Sequence, residues 1–450
     1  MSAEEKKAHV VAFAFPFGSH PTALLHLVQR LASAAPGVNF SYFNTAESNQ
    51  KVLPNANLRS HGNIKAYDVV DGAPEGYVFS GNPLEKVDLF VKATPENFRR
   101  RLGEVVAETG LKATCLLTDA FLSFSGDVAG ELGIPWVAFW TAGPAPLSLH
   151  LYTDVIRDKL GQNAQNQNQA LDFLPGLSAI HATDVPQELL HLDMPFSRLL
   201  YNMSLALPRI AAAVVLNSFD GIDPLVENDL KSKLKKILNV GPSPQPPQPQ
   251  PSDDCLSWLS NQASASVAYI SFGTMLTPPP PELSALAEAL EEKWIPYLWS
   301  FRDDPRRQIL GSFFERTSST GKVVHWAPQQ DVLAHPSVGV FVTHGGWNSV
   351  LESIAGGVPM VCRPFFGDQM INRRRVEDVW QIGVGVEGDV FTRSSTVKAL
   401  DAVLSGPEGK KMRENIGRLR ECGSVAVAEN GSSTENFKSL VDILVDMRNL

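Results

Sequence analysis

Short apolar runs alternate with amphipathic stretches along the chain. The run HVVAFAFPF at 9–17 is nearly continuous in apolar residues, which predicts a strand buried on both faces. Leu24, Leu25, Leu27, Val28 and Leu31 follow at helical spacing. Further strands are predicted at 38–43, 113–119, 136–140 and 211–219, with a helix running to Gly133. Hydrophobic strands separated by helices imply a parallel sheet covered on both faces.

The segment GPSPQPPQPQPS at 241–252 breaks this rhythm. Alternating Pro and Gln fill neither sheet nor helix and favour a polyproline-type spacer. The pattern then restarts, with strands predicted at 267–272, 297–301, 323–326, 338–343 and 358–364, and a helix at 283–291. The chain therefore reads as α/β: two doubly wound domains facing each other across a cleft, with ligands expected beyond the carboxyl ends of the strands. The boundaries are 1–240 for the first domain, 241–252 for the linker and 253–450 for the second.

Composition narrows the class. The 450 residues carry 39 Lys and Arg against 48 Asp and Glu, a formal charge of −9, with no long basic run. That argues against nucleic acid or an anionic membrane as partner. The polar N-terminus precedes an apolar stretch too short to span a bilayer, and it lacks a signal-peptide cleavage pattern. A cytoplasmic protein without membrane insertion is expected. The four cysteines, Cys115, Cys255, Cys362 and Cys422, form no CxxC pair, so neither a zinc site nor a disulfide framework is expected.

The densest chemical signal is VGVFVTHGGWNSVLESIAGGVPM at 338–360. A strand ends at Thr343, Gly345 and Gly346 turn the chain, and a helix opens near Trp347. The N–H groups at that helix start form an anion site, to which His344, Asn348 and Ser349 add side-chain donors. A diphosphate fits there. Glu352, one helical turn after Asn348, can accept from a ribose diol. The pattern is neither GxGxxG nor GxxxxGK[ST], which disfavours a nicotinamide cofactor and a Walker-type NTPase. Trp326, in WAPQ at 326–329, can stack on a base, and Asp368 and Gln369, in PFFGDQ at 364–369, can hold sugar hydroxyls.

Residues 326–369 closely resemble the signature box of plant UDP-sugar-dependent glycosyltransferases of secondary metabolism. Gly345 replaces the Cys most common there. The resemblance implies a GT-B type fold of two Rossmann-like domains, with the last helix crossing back to the first. It implies stacking of uracil on Trp326, pairing of the base edge with the Ala327 backbone, and ribose contacts from Gln329 and Glu352. His344, Asn348 and Ser349 would cradle the diphosphate, with Thr274 of the SFGT segment at 271–274 as a further phosphate contact. Trp347, Asp368 and Gln369 would touch the sugar, and a Gln at 369 favours glucose over galactose.

The first half supplies a second constellation. His20 lies just past the first predicted strand, and Asp119 ends another. Strands meeting at one sheet edge can bring them together, and a carboxylate fixes an imidazole's tautomer and stabilises its cation. In the resembling family His20 matches the general base and Asp119 its orienting acid. Similar stretches include HATDVP at 181–186 and GSSTENF at 431–437, and they resemble the branch acting on the 3-hydroxyl of flavonols and anthocyanidins. Thr141 matches a contact to the sugar's 6-hydroxyl, and His150 and Gly367 match acceptor contacts. Phe15, Phe121 and Phe366 are candidates for an apolar wall against a flat polyphenol.

The expected chemistry is an inverting displacement by a monomer, with UDP-glucose as co-substrate and no resident cofactor. The chain contains no Asp-x-Asp triplet, which favours metal independence. Two readings compete with it: the same chemistry on another phenolic or terpenoid acceptor, and a silent protein that binds phenolic or nucleotide without turnover.

Overall fold

The computed structural model describes residues 8–56, 58, 61–80, 83–161, 168–243, 254–273, 275–302 and 310–445. The chain divides into two units. Unit 1 comprises Met1–Ala164, Gln187–Pro246 and Ala426–Leu450; unit 2 comprises Gln165–Pro186 and Pro247–Val425. Most of the Pro/Gln spacer, 244–252, lies outside the described residues, as does Thr274.

Unit 1 is built on a parallel sheet of seven described strands: β1 (His9–Phe13), β2 (Asn39–Thr45), β3 (Ile64–Val69), β4 (Cys115–Asp119), β5 (Trp136–Trp140), β6 (Ala213–Leu216) and β7 (Ile237–Asn239). Their spatial order is β3-β2-β1-β4-β5-β6-β7. The order reverses between β1 and β4, where Phe13 pairs with Thr118. The first strand ends at Phe13 rather than Phe17, so Phe15 and Phe17 fall in the loop before the helix His20–Ala34. Leu24, Leu25, Leu27, Val28 and Leu31 of that helix pack on Val10, Ala12, Leu117 and Val137. The C-terminal helix Ser432–Val445 adds Leu440 and Leu444 to the same core. Its Ser433 donates to the Gly241 carbonyl at 2.6 Å and its Asn436 to that of Asn239 at 3.0 Å.

Unit 2 is built on a second parallel sheet, with described strands β8 (Val267–Ser271), β9 (Tyr297–Ser300), β10 (Gly321–Val324), β11 (Val338–Thr343), β12 (Met360–Cys362) and β13 (Gly383–Gly385). Their order is β10-β9-β8-β11-β12-β13, which reverses between β8 and β11. The strand read from the sequence at 323–326 lies two residues earlier, and the one at 358–364 is shortened to its middle, so Trp326 and 364–368 lie in loops. Ile270, Val340, Val342 and Val361 meet Leu286, Leu290, Leu400 and Val403 in its core.

The segment 168–186, which the apolar rhythm assigned to the first half, belongs with unit 2 for an ionic reason. Buried Asp184 accepts from Arg374 Nε at 2.8 Å and faces Arg373 Nη2 at 3.5 Å. Arg375 donates to the Gly176 carbonyl at 2.7 Å. No helix among the described residues is long and apolar enough to cross a membrane.

Candidate active site

In open parallel sheets the crevice for ligands opens where the strand order reverses, beyond the carboxyl ends of the strands. Each unit carries one of the two constellations at such a point.

In unit 1, three neighbouring strands converge. His20 follows β1, Asp119 ends β4, and Thr141 lies one residue past β5. His20 Nδ1 is 2.7 Å from Asp119 Oδ2 and 3.1 Å from Thr141 Oγ1. Asp119 is 1% exposed, and its Oδ1 accepts from the Phe121 N–H at 3.0 Å. A carboxylate only accepts, so Nδ1 carries the proton and Nε2 carries the lone pair. That is the tautomer a general base needs.

Aromatic rings surround this imidazole. Phe121 stands 4.9 Å and Phe15 5.3 Å from it, centroid to centroid. Phe196, from the helix Pro195–Ile210, stacks on Phe15 at 6.4 Å and meets Phe121 edge-on at 5.9 Å. The periodicity of its own helix did not mark Phe196, because no local pattern distinguishes a wall residue from core. Trp140 bridges Phe121, at 6.0 Å, to His150, at 5.5 Å. Burial drives the His150 imidazole down to about 4, so it stays neutral, and its buried Nδ1 has no partner among the described residues.

In unit 2, the helix Trp347–Gly356 opens directly after β11 and the Gly345-Gly346 turn, as the residue pattern predicts. Gly345 sits at φ +78°, a left-handed conformation that glycine adopts without strain. His344 is wedged between two glycines: a Cβ at Gly346 would fall 2.4 Å from its Nε2, and one at Gly273 2.9 Å from its Cε1. Burial lowers the His344 imidazole to about 4. At neutral pH it therefore offers a ligand a neutral N–H, alongside the opening N–H groups of the helix. Asn348 is half-buried beside it, and Ser349 is buried.

Gln329 links the residues expected at the ribose and the diphosphate. It accepts from Tyr269 Oη at 3.0 Å and donates to Glu352 at 2.5 Å and to Ser349 at 3.3 Å. Burial pushes the Glu352 carboxyl up, and hydrogen bonds from Gln329 and Gln330 pull it part of the way back. Trp326 is 51% exposed, as a stacking surface must be, whereas Ala327 is buried. Trp347 is only 4% exposed, with its ring 6.4 Å from Trp380. What it brings to the helix start is backbone rather than an open indole face.

Asp368 and Gln369 open the helix Gln369–Arg374. Gln369 Oε1 accepts from the N–H groups of Phe365, at 2.8 Å, and Phe366, at 3.3 Å, which turns its amide N–H₂ the other way. Buried Asn372 ties the two loops together, donating to Asp368 Oδ2 at 2.8 Å and to the Gly345 carbonyl at 3.0 Å. Nothing in the box pattern marked it, nor Arg302, which follows β9 and donates to the Gly273 carbonyl beside His344. Phe366, 47% exposed, and Gly367, at φ +65°, lie in the loop between β12 and this helix. Among the described residues no three His, Cys, Asp or Glu side chains gather into a metal-holding group.

Residues 239–422 match the family described as UDP-glucoronosyl and UDP-glucosyl transferase. A flavonol 3-O-glucosyltransferase of Actinidia chinensis var. chinensis is 52% identical, over 99% of this chain and 98% of its own. An anthocyanidin 3-O-glucosyltransferase of Vitis vinifera is 49% identical, over 99% of both chains. An anthocyanidin 3-O-galactosyltransferase of the same Actinidia is 48% identical, over 97% of both. The crystal structure of a UDP-glucose:anthocyanidin 3-O-glucosyltransferase in complex with UDP superposes with a TM-score of 0.91 at 45% identity, covering 97% of this chain and 99% of that one. With about half of its residues shared along nearly its whole length, the chain belongs to the UDP-glucoronosyl and UDP-glucosyl transferase family, as a plant-type UDP-glycosyltransferase related to flavonol and anthocyanidin 3-O-glucosyltransferases.

Proposed function

We propose that this protein transfers glucose from UDP-glucose to the 3-hydroxyl of a flavonol or anthocyanidin, with inversion at the anomeric carbon. The observation that carries the reading is the His20–Asp119 pair at 2.7 Å, set among Phe15, Phe121 and Phe196. It combines a base of fixed tautomer with flat apolar surfaces for a polyphenol. The relatives named above support the acceptor class.

In this reading His20 Nε2 takes the proton of the acceptor hydroxyl as its oxygen attacks the anomeric carbon. The bond to the UDP oxygen breaks, and the new bond forms on the opposite face, giving a β-glucoside from an α-linked donor. Asp119 stabilises the imidazolium that results. Trp326 and the Ala327 backbone hold the uracil, and Gln329 and Glu352 hold the ribose. His344, Asn348, Ser349 and the helix start, together with Thr274, meet the charge on the leaving diphosphate. Trp347, Asp368 and Gln369 address the sugar, Thr141 its 6-hydroxyl, and His150, Phe366 and Gly367 complete the acceptor surround. The chain acts as a monomer in the cytoplasm, and the first and second domains hold acceptor and donor respectively.

A galactosyltransferase stands as near in identity as the glucosyltransferases, so overall likeness does not choose the donor. A Gln at 369, the residue commoner in the glucose users of the family, supports glucose. The test is turnover of UDP-glucose and UDP-galactose in competition, against quercetin, cyanidin, a simple phenol and a terpenoid alcohol. A 3-O-glucoside of the flavonol or anthocyanidin as main product is expected. Transfer to the phenol or terpenoid alone would overturn the acceptor, and preferential use of UDP-galactose would overturn the donor.

A further inference from the structure

Two oxygens approach one nitrogen of the base. Asp119 Oδ2 lies 2.7 Å and Thr141 Oγ1 3.1 Å from His20 Nδ1. The carboxylate requires a proton on Nδ1, and a single N–H can be shared between two acceptors. Thr141 Oγ1 therefore receives the minor share of that N–H, and its own O–H hydrogen is directed elsewhere. From this geometry we propose that Thr141 is a positioning residue for the base: its hydroxyl oxygen is the second acceptor of the His20 Nδ1–H, and it holds the ring in the plane that presents Nε2 to the acceptor hydroxyl.

The surroundings give this contact its purpose. Asp119 alone anchors the ring through one bond, about which an imidazole can swing. Thr141 reaches the same nitrogen from the loop after β5, on the far side of β4 from His20, so the N–H is bracketed by two strands. That loop is itself held, because Trp140 Nε1 donates to the Gly143 carbonyl at 2.8 Å and the helix Pro144–Leu151 starts at once. With its oxygen engaged by the base, the Thr141 O–H remains able to donate to a sugar hydroxyl.

This inference rests on His20 being the base, so the experiment separates the two. Thr141→Val keeps the shape and removes the hydroxyl, whereas Thr141→Ser keeps the hydroxyl. Each is assayed with UDP-glucose and with UDP-xylose, which lacks the 6-hydroxymethyl group. Ligand-free protein labelled with ¹⁵N-histidine reports the His20 tautomer and its Nδ1–H signal, assigned by their loss in His20→Ala. We expect Thr141→Val to lower kcat about three- to tenfold with both donors, the worth of one neutral hydrogen bond. The UDP-xylose KM should stay within about twofold, since the variant removes no contact to that donor. The tautomer should stay Nδ1–H, held by Asp119, but the Nδ1–H signal should move as its second acceptor is lost, and Thr141→Ser should restore both rate and signal. If Thr141→Val loses rate with UDP-glucose only, or leaves the His20 Nδ1–H signal as in the wild type, Thr141 acts through the sugar alone and the inference falls. The Nδ1–H comparison needs no donor and decides by itself where UDP-xylose turnover is slow. Should the valine variant not fold, Thr141→Ala takes its place. Full turnover by His20→Ala would instead refute the reading of His20 as base.

Discussion

Replacing Asp119 by asparagine changes one atom and should reverse the chemistry of the base. Asp119 Oδ1 accepts from the Phe121 N–H at 3.0 Å, and Oδ2 faces His20 Nδ1 at 2.7 Å. In Asp119→Asn the amide oxygen must stay on the Phe121 side, because an NH₂ group there would meet another donor. The NH₂ then points at Nδ1, which becomes an acceptor, and the proton moves to Nε2, where the base lone pair is needed. Restoring the active tautomer sets N–H against N–H in a site that is 1% exposed, at a cost of about 1–3 kcal/mol for an unsatisfied buried donor. Losing the charge-assisted bond to the developing imidazolium removes about 1.5–3 kcal/mol more. The sum is roughly 3–6 kcal/mol, which at about 1.4 kcal/mol per tenfold is a fall in kcat of about 10²- to 10⁴-fold. The assay is the initial rate of flavonol glucosylation at saturating UDP-glucose, with UDP affinity from calorimetry as control. UDP affinity should change less than about twofold, since the residues proposed to hold UDP belong to unit 2. A variant that keeps more than a tenth of the wild-type kcat would refute the tautomer argument.

Other expectations follow from the donor half. The raised Glu352 carboxyl protonates above the ordinary carboxylate range, and a protonated carboxyl accepts less well from a ribose diol. UDP-glucose affinity should therefore weaken as pH falls from 7 toward 5, while His344, neutral down to about 4, supplies no compensating positive charge. Glu352→Gln should bind about tenfold more weakly at pH 7, the worth of a hydrogen bond to a charged group, and lose that pH dependence; an unchanged profile would exclude the ribose role. Gly346→Ala places a methyl 2.4 Å from His344 Nε2 and should weaken UDP binding about tenfold or more with little change in melting temperature. Asp184→Ala leaves Arg374 without its buried partner and should cost about 3 kcal/mol, the lower end for such pairs because Arg374 is partly exposed. Differential scanning calorimetry would show this as a fall of about 6–10 °C in the transition of unit 2.

Signals confined to a short stretch were legible in the sequence. The 338–343 strand, the turn and the helix beginning at Trp347 lie where the apolar run, the two glycines and the helical spacing put them. Pairing His20 with Asp119 needed only that one follows and the other ends a parallel strand, which places both at one sheet edge. What stayed hidden depends on distant partners. β3 mixes buried and open positions without a regular alternation, and β7 and β13 span three residues each, too short for a period to register. Phe196, Asn372 and Arg302 became site residues only through what folded around them. The bond between Asp184 and Arg374 joins positions 190 residues apart, beyond any pattern in local spacing. Thr141 was readable as a sugar contact through resemblance, but its proximity to Nδ1 required coordinates.

The central claim, an inverting glucosyl transfer to a flavonoid 3-hydroxyl through His20, is tested most directly by the product itself. Purified protein would be given UDP-α-glucose and quercetin in the presence of EDTA, and the isolated glycoside would be placed by NMR. A β-linked 3-O-glucoside, absent from a parallel reaction with His20→Ala, is the predicted result. An α-linked product, attachment at another hydroxyl, or undiminished turnover by His20→Ala would contradict the account.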